Sequence, residues 1–173
     1  MLIVATERLS IRPFTPNYHE FVLTLFNEET FLTNIGDKGV RNTEDAISHL
    51  INGPIASYKE HGFGLYLVCL KNDDTPVGMC GLLKRTEFEH ADLGYAFLPE
   101  YCGKGFAQEA SSVILQESVK NHYLGTVLSV TSCTNTRSNH LLKKLGFTFK
   151  EKITFSNTEN NLYEINLSTL LKP

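Results

Sequence analysis

The sequence predicts an α/β (α+β) fold in which one mixed, mostly antiparallel sheet of about six to seven strands carries helices on both faces. Three observations predict it. Apolar residues alternate with period two in short runs, they recur at helical spacing in others, and a glycine-rich turn joins one strand directly to a long helix. The order is strand, two helices, three strands, helix, strand, helix, two strands. A three-strand meander runs antiparallel, whereas strand–helix–strand requires a crossover and a parallel pair, so the sheet is mixed.

Residues 8–14, RLSIRPF, alternate apolar and polar and are closed by Pro13 and Pro16, which predicts the first strand. Asn17 and Glu20 read as an N-cap and N3 pair for a first helix bearing Phe21, Val22, Leu25 and Phe26. Residues 30–42, with Gly36, Asp37 and Gly39, read as loop. Thr43 is placed to cap a second helix carrying Ala46, Ile47, Leu50 and Ile51, which Gly53-Pro54 should end or kink. Strands at 65–70 and 77–85 form a hairpin across the polar turn 71–75, and a third strand, 91–98, follows a second polar turn at 87–90. A helix from 106 to about 122 stops at Gly125. Then come a buried strand at 127–130, a short helix at 136–145 ended by Gly146, and strands at 147–155 and 162–167 around a turn at 156–161.

With 173 residues, 42% hydrophobic and 20% charged, the chain suits a single domain spanning 1–173. A formal charge of −3 gives nucleic acid no long-range attraction. No apolar run reaches the ~20 residues of a membrane span, and the amino terminus, MLIVA, is too short and lacks the basic segment of a signal peptide. The expectation is a cytoplasmic protein with neither membrane nor nucleic-acid partner. Cys69, Cys80, Cys102 and Cys133 show no CxxC or Cys–His spacing, so they read as reduced, mostly buried thiols and no metal is expected.

The stretch 91–112, ADLGYAFLPEYCGKGFAQEASS, carries the chemistry. A strand, a turn through Pro99, Gly103 and Gly105, and a helix with Phe106, Ala110, Val113 and Ile114 on one face aim free amides and the positive helix end at one spot. An anion, most simply a phosphate, suits that spot. It is not a P-loop, because Phe106 follows Gly105, nor a dinucleotide fingerprint, because Gln108 stands where a small residue is required and the turn follows a three-strand meander.

Cys102-Gly-Lys-Gly105-Phe-Ala107 resembles instead the Q/R-x-x-G-x-G/A signature of the GNAT N-acetyltransferase superfamily. TERLSIRPF, HGFGLYLV, VGMCGL, GYAFLPEYCGKGFAQEA and NTRS leading to LGF, in that order over nearly the whole chain, are similar to its RimJ/RimL-like branch. The resemblance implies a parallel strand pair splayed to take the pantetheine arm of acetyl-CoA, with Tyr95, Ala96 and Phe97 alongside it and Leu98 at the exit. It places the pyrophosphate on the amides of Gly103, Lys104, Gly105, Phe106, Ala107 and Gln108. Cys102 stands where the family has Gln or Arg; a thiol near a helix N-terminus can be reactive, and a structural role is the simpler reading.

The implied reaction is direct attack of a primary amine on the thioester, with a backbone N–H near Phe97 stabilising the oxyanion and no covalent enzyme intermediate. Many members use a tyrosine acid at the position of Leu142. The RimL-like Asn-x-x-Ser alternative matches Asn135 and Ser138, which also puts these two beside the cofactor and Ser138 in the role of acid toward the leaving thiolate. Capping the short helix explains Ser138 too. Asp92 stands where relatives carry an acidic strand residue and is the expected base, ahead of Glu87 and His90, although plain alternation on a half-exposed strand also accounts for it. Residues 31–42 and 155–162 should form the acceptor pocket. The implied activity is acetyl-CoA-dependent N-acetyltransfer to a protein α-amine or a small-molecule amine, by a monomer or homodimer. An antibiotic- or polyamine-detoxifying acetyltransferase and a non-catalytic acyl-CoA-binding domain stand as alternatives.

Overall fold

The computed structural model describes residues 4–122 and 125–171. The first three residues of the stretch read for a signal peptide lie outside them. Among the described residues eight strands form one sheet in the order β1-β2-β3-β4-β5-β6-β8-β7. They are β1 (Val4–Ala5), β2 (Leu9–Pro13), β3 (Leu65–Leu70), β4 (Pro76–Leu83), β5 (Asp92–Phe97), β6 (Thr126–Ser132), β7 (Thr148–Phe155) and β8 (Thr158–Asn166). Every neighbouring pair is antiparallel except β5 and β6, so the expected mixed sheet is present. The count exceeds the expected six to seven because the two-residue β1 pairs with Ser10 and Ile11 of β2, too short a run to register as a periodic pattern.

Strand alternation sends side chains to two cores. On one face Leu9, Ile11, Val68, Cys80, Leu93 and Phe97 pack under α5 (Phe106–His122) and α6 (Thr136–Lys144). On the other, Leu67, Cys69, Met79 and Leu98 pack under α1 (His19–Phe26), α2 (Glu29–Asn34) and α3 (Thr43–Leu50). Each fully buried Leu or Phe contributes about 2 kcal/mol. Cys69 and Cys80 lie in these cores, Cys102 and Cys133 are half-buried, and all four are free thiols.

The helical half departs most from expectation. A 3-10 turn at Pro16–Tyr18 precedes α1, so Asn17 is not its cap, and no side chain caps this helix. Residues expected as loop form α2, because Phe31 is buried in stacking contact with Phe26, with ring centroids 4.5 Å apart. The cap of α3 is Asn42, one residue before Thr43, and its side chain accepts the Asp45 N–H. At Gly53-Pro54 the helix neither ends nor breaks. It widens into a π segment (Ile51–Ile55), which accommodates a proline lacking an N–H, and continues as α4 (Ala56–His61) to Gly62. Beyond Phe155 the chain reverses in two residues, Ser156 (φ 51°) and Asn157 (φ 62°), so β8 begins four residues before the expected strand. Among the described residues no helix is long and apolar enough to cross a membrane.

Candidate active site

The parallel pair of β5 and β6 comes apart almost as soon as it forms. On its β4 side β5 is paired from Asp92 to Phe97, whereas on its β6 side the register holds only at Asp92 opposite Leu128. There the Leu128 N–H donates to the Ala91 carbonyl (2.9 Å), and the Ser129 hydroxyl donates to the Leu93 carbonyl (2.9 Å). Alternation then decides what the opening exposes. Residues 91, 93, 95 and 97 turn their backbone groups toward β6, while 92, 94, 96 and 98 turn theirs toward β4, where the Leu98 N–H donates to Val77 (2.9 Å). The peptide groups of Tyr95 and Phe97 therefore border a wedge, and those of Ala96 and Leu98 are taken up within the sheet. An extended arm with amide groups of its own could pair with such an edge.

The wide end of the wedge carries the glycine turn. Gly103 (φ 75°) and Gly105 (φ 82°) are left-handed, a conformation that favours glycine. The Glu109 N–H reaches Gly105 O (3.0 Å) as a first helical bond of α5, so the amides of Phe106, Ala107 and Gln108 precede the ladder and point outward. Together with the positive helix end they fit the pyrophosphate of a coenzyme A. The Lys104 ammonium stands 5.4 Å from the Tyr101 ring centroid at the rim.

The β1–β2 segment holds this turn in place. Arg8 donates to the Lys104 carbonyl (2.9 Å) and to Glu109 (2.7 Å), and its guanidinium lies 4.5 Å over the Phe106 ring. Glu109 also accepts from the Thr6 hydroxyl (2.5 Å) and the Arg8 N–H (3.0 Å). Burial raises the pKa of this carboxyl, and the hydrogen bonds from Thr6 and Arg8 outweigh it and leave it below the usual value. Cys102 sits in the turn with its sulfur 3.6 Å from the Leu98 carbonyl. Burial pushes this thiol up, against the pull of Arg137, so it is no activated thiolate.

On the α5–α6 side, Tyr95 and Ser138 meet with hydroxyl oxygens 2.7 Å apart. Asn135 is the N-cap of α6 and accepts the Ser138 N–H (3.2 Å), so Ser138 is the capped residue and its own hydroxyl is left to Tyr95. Burial drives the Tyr95 phenol well above its ordinary pKa, which keeps it a hydrogen-bond donor. Leu142, at the place of the family tyrosine, is fully buried in the core. Behind Ser138, Asn139 accepts from Asn161 (2.7 Å) and from the Tyr163 hydroxyl (2.7 Å), tying α6 to β8.

Asp92 marks the apex, and by alternation its side chain emerges on the opposite face from Tyr95. It is 1% exposed, its Oδ2 lies 3.3 Å from Arg85, and its Oδ1 is buried without a hydrogen-bond partner among the described residues. Burial pushes this carboxyl up to about 6 although Arg85 pulls the other way. The Arg85 guanidinium also lies 4.9 Å over the ring of Phe155, which contacts Phe88 at 5.5 Å. Arg85 thus joins the apex carboxylate to the aromatic pair of Phe88 and Phe155. Phe31, expected to line this pocket, is buried under α1. Sequence reasoning missed Arg8, Arg85 and the Tyr95 hydroxyl, whose partners lie 96 to 101, 7 and 43 residues away. Among the described residues no group of three or more side chains could hold a metal ion.

Residues 8–148 match the family model of the acetyltransferase (GNAT) domain. The chain belongs to the GNAT acetyltransferase family. It is 25% identical over 173 residues to the uncharacterized N-acetyltransferase YoaA of Bacillus subtilis, covering 99% of this chain and 97% of that one. Its fold superposes on RimL, a ribosomal L7/L12 α-N-protein acetyltransferase solved with coenzyme A, with a TM-score of 0.83 at 15% identity over 96% and 98% of the two chains. It likewise superposes on the microcin C7 self-immunity acetyltransferase MccE, solved with acetyl-CoA and AMP, with a TM-score of 0.80 at 17% identity over 93% of each. In this GNAT acetyltransferase the wedge and the glycine turn occupy adjoining stretches of one strand–turn–helix unit.

Proposed function

We propose that this GNAT enzyme moves an acetyl group from acetyl-CoA to a primary amine, either a protein α-amino terminus or a small molecule, in a single direct step in the cytoplasm. The observation that carries the reading is the wedge between β5 and β6, with the peptide edge of Tyr95 and Phe97 left unpaired with β6 and leading to the free amides behind Gly103 and Gly105. Tyr95 and Phe97 hold the pantetheine arm as a neighbouring strand would, and the Phe97 N–H lies on the edge that meets the developing oxyanion. The amides from Gly103 to Gln108, with Lys104 at the rim, hold the pyrophosphate.

The sheet itself separates the two proton transfers. Asp92, on the α1–α3 face, takes the proton of the incoming amine through its unpartnered Oδ1 or a water. Ser138, on the α5–α6 face, gives a proton to the departing thiolate, and Tyr95 donates to the Ser138 oxygen so that the serine hydrogen is free to point at sulfur. Asn135 keeps Ser138 in place by capping its helix.

Calorimetric titration with acetyl-CoA, followed by a free-thiol release assay over peptides and small amines, tests this reading. Binding with acceptor-dependent thiol release supports it. Binding without release on any amine refutes the transfer, and absence of binding refutes the cofactor site.

A further inference from the structure

The run NTRSN puts Asn139 directly after Ser138 and four residues after the cap Asn135, and the fold commits every hydrogen-bonding position of its amide. Its Nδ2 donates to the carbonyl of Ser132 (3.0 Å), the last residue of β6, and to the carbonyl of Asn135 (2.8 Å). Its Oδ1 accepts from the Tyr163 hydroxyl (2.7 Å) and from Asn161 Nδ2 (2.7 Å), both on β8. Two N–H donors and two lone pairs are all that this side chain has, so none is left over. Backbone carbonyls only accept, which allows the amide a single orientation.

The partners of Asn139 are themselves held. β6 and β8 pair with Thr131 opposite Asn161 and Ser129 opposite Tyr163, so both side chains that donate to Asn139 stand on one ladder. The Asn161 oxygen takes the Cys133 S–H (Sγ at 3.3 Å), which turns its Nδ2 toward Asn139. The buried Tyr163 ring lies edge to face with Phe149, centroids 5.9 Å apart, and burial raises its phenol, which keeps it a donor.

Capping alone does not place the Ser138 hydroxyl. Asn135 accepts the Ser138 N–H (3.2 Å), a bond internal to the helix end that moves with it. Consecutive side chains on a helix stand about 100° apart, so positions 138 and 139 look to different strands. Ser138 meets Tyr95 of β5 with oxygens 2.7 Å apart, and Asn139 reaches β6 and β8, so the first turn of α6 is held from two sides. A shift of about 1 Å would carry the hydroxyl pair out of hydrogen-bonding range. We propose that Asn139 is a positioning residue whose four hydrogen bonds set the first turn of α6, so that the Ser138 hydroxyl meets Tyr95 and the departing sulfur. The proposal rests on the acetyl-transfer reading above and deepens it: Ser138 gives the proton, and Asn139 places it.

Asn139→Asp tests it, since it keeps the shape and turns a carboxylate oxygen toward the Ser132 and Asn135 carbonyls. In thiol release on the full chain its kcat should fall about tenfold or more, with KM for acetyl-CoA within about twofold. Tyr163→Phe removes one donor at the same shape and should lower kcat about threefold. A cycle with Ser138→Ala separates placing from folding: on that background either change should alter kcat less than about twofold, because no hydroxyl is left to place. The isotope-labelled Cζ resonance of Tyr95 gives a readout without turnover, and in Asn139→Asp it should move toward its position in Ser138→Ala. A kcat like that of wild type, an equal loss with and without Ser138, a KM change larger than the kcat loss, or an unmoved Tyr95 resonance overturns the proposal. Should Asn139→Asp fail to fold, Tyr163→Phe decides on the same terms. If Ser138→Ala turns over like wild type, or no amine releases thiol, the reading of the reaction fails and the Tyr95 resonance decides the placing by itself.

Discussion

Replacing Asp92 by Asn should make the protein more stable at pH 8 and a poorer enzyme. Burial holds the Asp92 carboxyl at about 6 against an ordinary 3.8, which corresponds to about 3 kcal/mol at about 1.4 kcal/mol per pH unit. The sign follows from the direction. A carboxyl whose folded pKa is raised contributes fully below its unfolded value and loses that contribution as pH climbs through 6, so at pH 8 the ionised group burdens the fold. At pH 4 it is protonated in the folded state and only about half ionised unfolded, and the burden is under about 1 kcal/mol. Asn removes the charge at nearly the same size. The variant should therefore gain about 2 kcal/mol relative to wild type between pH 4 and pH 8, about 4–8 °C in Tm for a chain of this length. The attraction of Arg85 is already contained in this figure, because the value of about 6 is what burial leaves after Arg85 has pulled the other way. Denaturant or thermal unfolding at both pH values measures this. The rate should carry the complementary sign: wild-type turnover rises with pH through an apparent pKa near 6, and the variant loses that limb along with at least tenfold in kcat. A variant that is less stable at pH 8, or equally changed at both pH values, would refute the reasoning, because the Arg85 pair would then outweigh burial.

Gly105→Glu should abolish coenzyme A binding by calorimetry, since it sets a side chain at φ 82° with its Cβ 3.3 Å from the Arg8 guanidinium and a like charge beside the pyrophosphate. Ser138→Ala and Tyr95→Phe should each lower kcat ten- to a hundredfold with coenzyme A affinity within twofold, and the double variant should fall little further, because the two hydroxyls act as one unit. Arg8→Ala should cost about 1 kcal/mol in unfolding experiments and weaken acetyl-CoA binding more than it lowers kcat, as the turn loses its brace. Leu142→Tyr should not restore the family's acid: the position is fully buried, so the variant should lose at least about 2 kcal/mol by overpacking, with no gain in rate.

How much of this was legible depended on the range of the cause. The 91–112 unit is local, its period switching from two to 3.6 across Gly103 and Gly105, and its bounds came out within a residue or so. The helices before β3 were harder. α2 exists because Phe31 finds Phe26, and α3 runs on through Pro54 because a π turn absorbs it; neither tertiary packing nor a widened turn is written in propensity. In the site, Asp92 could be singled out as a carboxylate on a strand, yet its empty Oδ1 and the sharing of Arg85 depend on a hairpin register. The division between Tyr95 and Phe97, facing the wedge, and Ala96 and Leu98, facing β4, needs the pairing of three strands, since a slip of one residue exchanges the two sets. Ser138 came from a resemblance, and its partner Tyr95 from geometry alone.

The Arg8 and Thr6 clasp on Glu109 ties the start of the chain to the start of α5, and that tie runs in both directions. By linkage, the free energy by which an intact β1–β2 clasp favours the cofactor is the free energy by which the bound cofactor steadies that clasp. Amide hydrogens of residues 9–12 should then exchange more slowly once coenzyme A is bound, and a fusion or tag that strains the first strands should be felt as a weaker cofactor. The amino-terminal hairpin thus serves as a remote gauge of cofactor occupancy.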